Sequence, residues 1–289
     1  MKFVTYNYNG TEYVGVLTND ETSVIPASEF GLKAGSMLEL IKELDGSYPA
    51  APTQAKSIAL SDVKLEAPIP EPRQDVICLG LNYRDHVEEA TRADAVFDIQ
   101  RGDAVYFSKR LQRAVAPGGE IDGHFDICDS LDYEVELGVI IGRDAKNVKA
   151  ADAGKYIFGY TIINDVSARN LQTRHKQWYF GKSLDDFTPM GPCILSADEV
   201  GAMPELDIRC YVNGEKRQDS NTRMMIFDIP YIIEELSAGM TLKAGTVIAT
   251  GTPSGVALGM APEVQKYLES GDVVRCEIDG IGVLENTIA

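Results

Sequence analysis

The chain has few histidines, no paired cysteines and no long apolar run, and each shortage excludes a class of protein. Only three of its 289 residues are histidine, and the motif H-E-x-x-H does not occur, which disfavours a zinc hydrolase. The five cysteines are scattered and never form C-x-x-C, which argues against a disulfide framework or a structural zinc site. No stretch approaches the roughly 18 consecutive apolar residues needed to span a bilayer.

Positive charge is scarce as well. The 27 lysines and arginines face 44 aspartates and glutamates, so the formal net charge is −17, and we expect neither nucleic acids nor membranes as partners. Residues 1–7 lack the apolar run of a secretory signal, so we expect a cytoplasmic protein. With 44% hydrophobic residues, the chain can bury one large core, or a principal domain with a smaller appendage.

A proline-rich segment divides the chain. Residues 67–72 (APIPEP) contain three prolines in six positions, and proline favours extended backbone at domain boundaries. Residues 1–70 alternate polar and apolar in short runs and include a helical apolar pattern at 36–44. We therefore predict a small β-rich N-terminal lobe over 1–70 and a larger principal domain over 71–289.

Further along, strand patterns outnumber helical ones and do not alternate regularly with them. This distribution predicts an α+β, mainly β architecture with largely antiparallel strands rather than a doubly wound sheet. A helix is predicted around Ile229–Leu236, and the polar, irregular residues 91–103 are predicted to form a lid. The strands are predicted at 76–80, 104–108, 133–142, 156–164, 207–213, 246–250 and 272–288, the last broken by a hairpin turn at 279–280.

A short helix is predicted to start after Asn82. That residue can act as the N-cap, with Asp85 three residues on as an approximate capping box. The helix would carry His86 and Glu89 on one face, since residues three apart are neighbours on a helix. A lone surface histidine is usually without function, whereas a carboxylate partner would hold the tautomer of the imidazole and raise its basicity.

Two acids stand out in the strand segment 132–142 (DYEVELGVIIG). Alternation places Glu134 and Glu136 on one face, roughly 6.5–7 Å apart by backbone rise, so that their carboxylates can converge on a single ion. Taken alone, such a pair is more typical of a solvated strand face. Asp165 ends the next apolar strand and would supply a third oxygen, and three carboxylates suit Mg²⁺ or Mn²⁺.

Several ordered motifs together resemble the fumarylacetoacetate hydrolase family, in the bacterial branch of acylpyruvases, oxaloacetate decarboxylases and hydroxyheptenedioate isomerases. The resemblance covers roughly residues 75–289. It implies a distorted β-roll core, usually dimeric, with Mg²⁺ or Mn²⁺ on acids that match Glu134, Glu136 and Asp165. The motifs are GLNYRDH (80–86), LDYEVEL (131–137), GY through DVSAR (159–169), GKS (181–183) and TGTPSGV (250–256).

The resemblance also implies roles for individual residues. His86 and Glu89 match a dyad in which the acid orients the imidazole and the imidazole deprotonates a water. Lys182 matches a lysine that contacts substrate oxygens, although a solvated lysine is the alternative. Arg169 and Gln172 match positions that line the pocket.

Some of these roles stay open. The guanidinium of Arg169 can bind a substrate carboxylate or brace the metal acids. Thr252 lies in a Gly/Pro-rich turn that can approach a substrate carboxylate or simply shape the chain. Tyr83 and Tyr106 are candidate pocket walls. His124 and His175 have no supporting pattern, so we expect them to be structural or surface residues.

These features lead to one functional hypothesis with alternatives. The preferred reaction is metal-dependent hydrolysis of a C–C bond in a β-diketo acid of the acylpyruvate type, through a pyruvate enolate. Oxaloacetate decarboxylation and isomerisation of 2-hydroxyhepta-2,4-diene-1,7-dioate are alternatives on the same site, and a non-catalytic metal-binding scaffold is a third. The expected partners are a small anionic 2-oxo acid and, from the family resemblance, a second copy of the chain.

Overall fold

Two β-sheets packed against each other form the frame of the protein in a computed structural model, which describes residues 1–92 and 103–289. The predicted lid at 91–103 therefore lies almost wholly outside the described residues. The strands are β1 (Lys2–Tyr8), β2 (Thr11–Leu17), β3 (Ser23–Pro26), β4 (Ile58–Ala59), β5 (Lys64–Leu65), β6 (Val76–Gly80), β7 (Val105–Lys109), β8 (Glu120–Ile121), β9 (Leu131–Asp132), β10 (Val135–Ile141), β11 (Ile157–Asn164), β12 (Ser167–Ala168), β13 (Met190–Ser196), β14 (Asp207–Val212), β15 (Glu215–Asn221), β16 (Val247–Ala249), β17 (Val273–Ile278) and β18 (Gly282–Ile288).

The helices are fewer and shorter. None of those in residues 1–92 and 103–289 is long and apolar enough to cross a membrane. The α-helices are α1 (Met37–Leu44), α2 (Arg84–Arg92), α3 (Arg169–Arg174), α4 (Tyr179–Lys182), α5 (Ala197–Val200) and α6 (Ile229–Gly239), and 3₁₀ turns lie at Ala27–Phe30, Leu60–Asp62, Ala150–Tyr156, Thr222–Met224 and Ala257–Gly259.

The large sheet has the strand order β4-β3-β2-β1-β13-β11-β10-β16-β6-β7, with β5 also paired to β1. Strand β1 pairs with β13, so the strands of the first 70 residues continue this sheet. The second sheet has the order β15-β14-β17-β18-β8. The expected α+β, mainly β fold is confirmed.

Both faces of the large sheet are covered, so its central strands are buried throughout. Every residue of β10 and β11 is buried. Apolar residues of the second sheet pack on one face, and α1 packs with other apolar residues of the N-terminal region on the other. Helix α1 begins after Ser36, whose hydroxyl accepts a hydrogen bond from the Glu39 N–H as an N-cap.

Five strands beyond residue 70 were not predicted: the two-residue strands β8, β9 and β12, and the longer strands β13 and β15. Strand β15 (EKRQDSN) is polar throughout because it is the edge strand of the second sheet, where only Gln218 and Asn221 are buried. Strand β13 contains Pro192, which argues against a central strand because proline has no N–H for the ladder. The proline is tolerated because the register between β11 and β13 shifts between Tyr160 and Ile162.

The predicted cap at Asn82 is wrong. Asn82 is fully buried, and its amide donates to the carbonyls of Phe227 and Thr250 while its Oδ1 accepts from the Phe227 N–H. The side chain therefore ties the start of α2 to two distant segments. Asp85 does not complete a capping box either, because its carboxylate accepts from Ser220 and Ser254.

Replacement of Asn82 by alanine should lower the free energy of unfolding by about 3 kcal/mol, because the buried carbonyl of Thr250 and the partly buried carbonyl and N–H of Phe227 lose their partner. Urea denaturation measures this change. The control is Asn19→Ala at an exposed position, expected within about 0.5 kcal/mol of wild type. Equal stability of the two variants would contradict the role of Asn82.

Candidate metal centre and active-site pocket

Three buried carboxylates converge where β10 and β11 lie side by side. Glu134 immediately precedes β10, Glu136 lies on it, and Asp165 immediately follows β11. The strands are in register at Val135 and Asn164, and the Asp165 N–H donates to the Glu134 carbonyl, so the three positions are neighbours. One oxygen from each acid lies within 4.8 Å of the others.

These three acids do not lie on a solvated strand face, the alternative that the sequence left open for Glu134 and Glu136. Glu134 is 6% exposed, Glu136 1% and Asp165 0%. Burial of carboxylates together is costly unless cations or hydrogen bonds compensate them. The residues around the triad therefore determine its chemistry.

Three buried cations contact the acids. Lys182 Nζ lies 2.7 Å from Glu134 Oε2 and 2.8 Å from Asp165 Oδ2, and Lys109 Nζ lies 2.5 Å from Asp165 Oδ1. Arg169 Nη2 lies 2.6 Å from Glu134 Oε1, an ion contact without hydrogen-bond geometry.

A fourth acid supports the arginine. Asp132, fully buried, accepts from Arg169 Nε at 2.8 Å and from the N–H groups of Ala257 and Leu258. The guanidinium also donates to Gln172 Oε1. These contacts are the ones expected of the bracing role of Arg169, and its role in binding a substrate carboxylate stays a prediction.

The pKa values of the two glutamates are shifted in opposite directions. Burial raises the pKa of Glu134, but Lys182 and Arg169 outweigh that effect and bring it to about 2. Burial raises the pKa of Glu136 well above its usual range, and Asp165 and Glu134 raise it further. The Glu136 carboxylate is contacted by the Gly251 N–H at 2.8 Å.

The donor set fits a hard divalent cation. Four buried carboxyl groups, at positions 132, 134, 136 and 165, face three buried cations, at 109, 169 and 182. One acid therefore has no cation to balance it, and the raised pKa of Glu136 favours its neutral form. A divalent cation between Glu134, Glu136 and Asp165 would replace the proton of Glu136, and carboxylate oxygens are the ligands such ions prefer.

The predicted dyad forms above the triad. His86 Nδ1 lies 3.1 Å from Glu89 Oε2, and the Glu89 carboxylate also accepts from the Gly255 N–H. A Cβ at Gly259 would come within 2.2 Å of Glu89 Cδ, so only glycine leaves room for this carboxylate.

One pocket brings most of the predicted residues together. Its lining includes His86, Glu134, Glu136, Arg169, Gln172, Lys182 and Thr252. Asp165 lies beneath it, bonded to Lys182. The Thr252 hydroxyl donates to the Val135 carbonyl and accepts from the Gln218 amide, so this hydroxyl is committed to the protein.

Other candidates lie elsewhere. Tyr83 is fully buried and is not among the residues that line the pocket, so the structure does not place it as a wall. Tyr106 donates to Glu235 and is likewise outside the lining. His124 packs edge-on against Phe187, and His175 against Phe180, both away from the pocket.

Lys109, Asp132 and Gln218 were missed by sequence reasoning. Lys109 directly follows the predicted strand 104–108 and precedes Arg110, where lysine is normally solvated, and its burial depends on the distant Asp165. Asp132 carried a usable signal, because it is the first acid of the segment that contains Glu134 and Glu136. Gln218 lies on the unpredicted strand β15, and its amide oxygen accepts from the Val135 N–H.

The family model described as the C-terminal region of fumarylacetoacetate (FAA) hydrolase matches residues 75–289. The chain belongs to the fumarylacetoacetate hydrolase family. The resemblance seen in the motifs is thereby confirmed.

Individual relatives carry several activities in their names. The chain is 40% identical over 307 aligned residues to oxaloacetate tautomerase YisK of Bacillus subtilis, covering 100% of both chains. A fumarylacetoacetate hydrolase structure from Exiguobacterium antarcticum matches at 37% identity and a TM-score of 0.85, covering 100% of this chain and 99% of that one. A 2-hydroxyhepta-2,4-diene-1,7-dioate isomerase from Mycobacterium marinum matches at 30% and 0.76, covering 100% and 98%.

Removal of Asp132 tests the bracing of the site. We expect Asp132→Ala to lower the free energy of unfolding by about 3–5 kcal/mol, because the variant leaves the Arg169 charge buried with one carboxylate fewer. Denaturant titration measures the loss. Asp126→Ala, at an exposed position, is the control, and similar stability of both variants would be incompatible with the bracing role.

Proposed function

We propose that the protein is a divalent-metal-dependent enzyme that converts a 2-oxo acid through its enolate, with Mg²⁺ or Mn²⁺ on Glu134, Glu136 and Asp165. The observation that carries this proposal is that the acid triad and the His86–Glu89 pair meet at one pocket, with Lys182 between the acids. When bound, the ion would polarise the 2-oxo group of the substrate and attract its carboxylate.

Lys182 is the cation that can stabilise the enolate. Burial lowers the pKa of Lys182, but Asp165 and Glu134 raise it above its ordinary value, so the ammonium stays protonated. A fixed positive charge in a buried pocket favours negative charge that develops on the substrate. Lys182 is therefore assigned the electrostatic role and not that of a base.

His86 is the residue that can move the proton. Glu89 faces Nδ1 of the imidazole, which places a proton on Nδ1 and leaves Nε2 free to accept one. Transfer of a proton from C3 of the 2-oxo acid to Nε2 leaves the bonding electron pair in the enolate. Return of this proton from Nε2 to the enolate oxygen gives the enol.

Interconversion of the keto and enol forms of oxaloacetate is the first reaction to assay. It needs only this proton transfer, and the relative named oxaloacetate tautomerase aligns with the whole chain. Loss of carbon dioxide from oxaloacetate would yield the enolate of pyruvate on the same residues.

Hydrolysis of a C–C bond in an acylpyruvate, preferred from the sequence alone, is the second candidate. The His86–Glu89 pair favours this hydrolysis, because Nε2 of His86 can take a proton from a water that attacks the distal ketone of the substrate. Expulsion of the pyruvate enolate then breaks the C–C bond, and the carbonyl carbon that was attacked becomes a carboxylic acid. A homodimer, on the strength of the family resemblance, and a cytoplasmic location remain part of the proposal.

Metal dependence can be read without turnover. Saturating Mn²⁺ should raise the melting temperature of chelator-treated protein by roughly 5 °C, because a ligand at 100 times its Kd stabilises the folded state by about 2.7 kcal/mol. Glu136→Gln should abolish the shift, whereas Glu263→Gln, an exposed acid, should keep it.

Treatment with EDTA should remove activity, and Mg²⁺ or Mn²⁺ should restore it. Full turnover by metal-free protein would refute the metal role.

Substitution of the histidine separates chemistry from metal binding. His86→Ala should slow oxaloacetate tautomerisation by about 10²–10⁴-fold, the usual contribution of a general base, and leave the Mn²⁺-induced melting shift unchanged. His175→Ala, on the surface, is the control. If wild type binds the ion but turns over neither oxaloacetate nor acylpyruvates, the protein is a metal-binding scaffold and not an enzyme of this class.

A further inference from the structure

Two chemically different groups of side chains line the pocket. The acids and cations of the metal centre, here called the floor, form one group, and apolar side chains form the other. The apolar lining consists of Leu79, Leu81, Phe107, Trp178, Val256 and Leu258.

Two of the apolar lining residues, Phe107 and Trp178, are aromatic. The rings of Phe107 and Trp178 meet edge to face, with centroids 5.1 Å apart and planes at 68°. Gly80 makes room for the indole, because a Cβ at this position would lie 2.3 Å from a ring carbon of Trp178. The chain thus places a large flat side chain beside the pocket by omitting one at Gly80.

This aromatic wall adjoins the reacting end of the pocket. Lys182 Nζ lies 5.5 Å from the centroid of the Phe107 ring, and the same ammonium contacts Glu134 and Asp165. A substrate whose 2-oxo acid head faces the metal acids would therefore place its next substituent against Phe107 and Trp178.

The charged side chains among the described residues that line the pocket do not favour a second anionic group beside Phe107 and Trp178. The two positive side chains in that lining are Arg169 and Lys182, and both contact buried carboxylates of the floor. A second carboxylate against the wall would lose water without gaining a cation from these residues. A flat apolar group would gain buried area and ring contacts.

We propose that the preferred substrates are 2-oxo acids whose C3 carries an aryl group, and that Trp178 and Phe107 determine this specificity. The inference rests on the proposed function, because it assumes that the 2-oxo acid head binds at the metal centre. It goes further by naming the class of substituent that the pocket selects.

Oxaloacetate and phenylpyruvate form a matched pair of ligands. They differ only at the substituent on C3, which is a carboxylate in oxaloacetate and a phenyl group in phenylpyruvate. With Mg²⁺-loaded protein, we expect calorimetry to give a Kd for phenylpyruvate about tenfold lower than for oxaloacetate, given the usual strength of aromatic contacts. Trp178 is the only tryptophan in the chain. Its emission should change on addition of phenylpyruvate, which locates the ligand at this wall.

Variants assign the preference to the wall. Trp178→Ala should bring the two Kd values to within about twofold, and Trp178→Phe should restore most of the difference. Gly80→Ala should displace the indole, alter its emission and weaken the preference. Tyr179→Ala, an exposed aromatic on the neighbouring helix turn, is the matched control and should bind like wild type.

The outcomes separate this inference from the proposed function. Tighter binding of oxaloacetate than of phenylpyruvate by wild type would overturn the inference and leave the enolate chemistry standing. A preference for phenylpyruvate that persists in Trp178→Ala would also overturn it. Failure of every 2-oxo acid to bind Mg²⁺-loaded protein would overturn both proposals.

Discussion

The structure depends on a buried cluster of opposite charges at the junction of β10 and β11. Four carboxylates and three cations lie there with at most 6% exposure, and burial of so many charges is tolerated only when each has partners close by. Lys182 contacts two of the metal acids at once, and Arg169 joins Glu134 to Asp132. Because the cluster has one more carboxyl group than it has cations, the interactions that hold the strands together also leave three acids close enough to hold one divalent cation.

One turn links this cluster to the dyad. In the segment 250–256, the Gly251 N–H contacts Glu136 and the Gly255 N–H contacts Glu89. Both glycines adopt left-handed φ angles, +94° and +105°, which other residues rarely adopt. The backbone of this segment therefore links the proton-transfer residue to the metal acids.

Much of this arrangement could be predicted from the sequence, because local patterns specify it. Alternation located Glu136, and spacing along a helix paired His86 with Glu89. The residues whose positions depend on tertiary contacts could not be predicted. Lys109 is buried only because Asp165 reaches it, and Asn82 bonds to Phe227 and Thr250, 145 and 168 residues away, instead of capping its own helix. The polar edge strand β15 has no alternation to reveal it, although its Gln218 holds Thr252 and Val135 in place.

The central claim is that three carboxylates from adjacent strands bind one divalent cation. Anomalous diffraction from a crystal soaked in Mn²⁺ tests it most directly. The account predicts one strong peak with oxygens of Glu134, Glu136 and Asp165 at roughly 2.0–2.6 Å, the range for hard divalent cations. It would be contradicted by the absence of a peak at saturating Mn²⁺, with all three carboxylates still held by lysine, arginine and backbone groups.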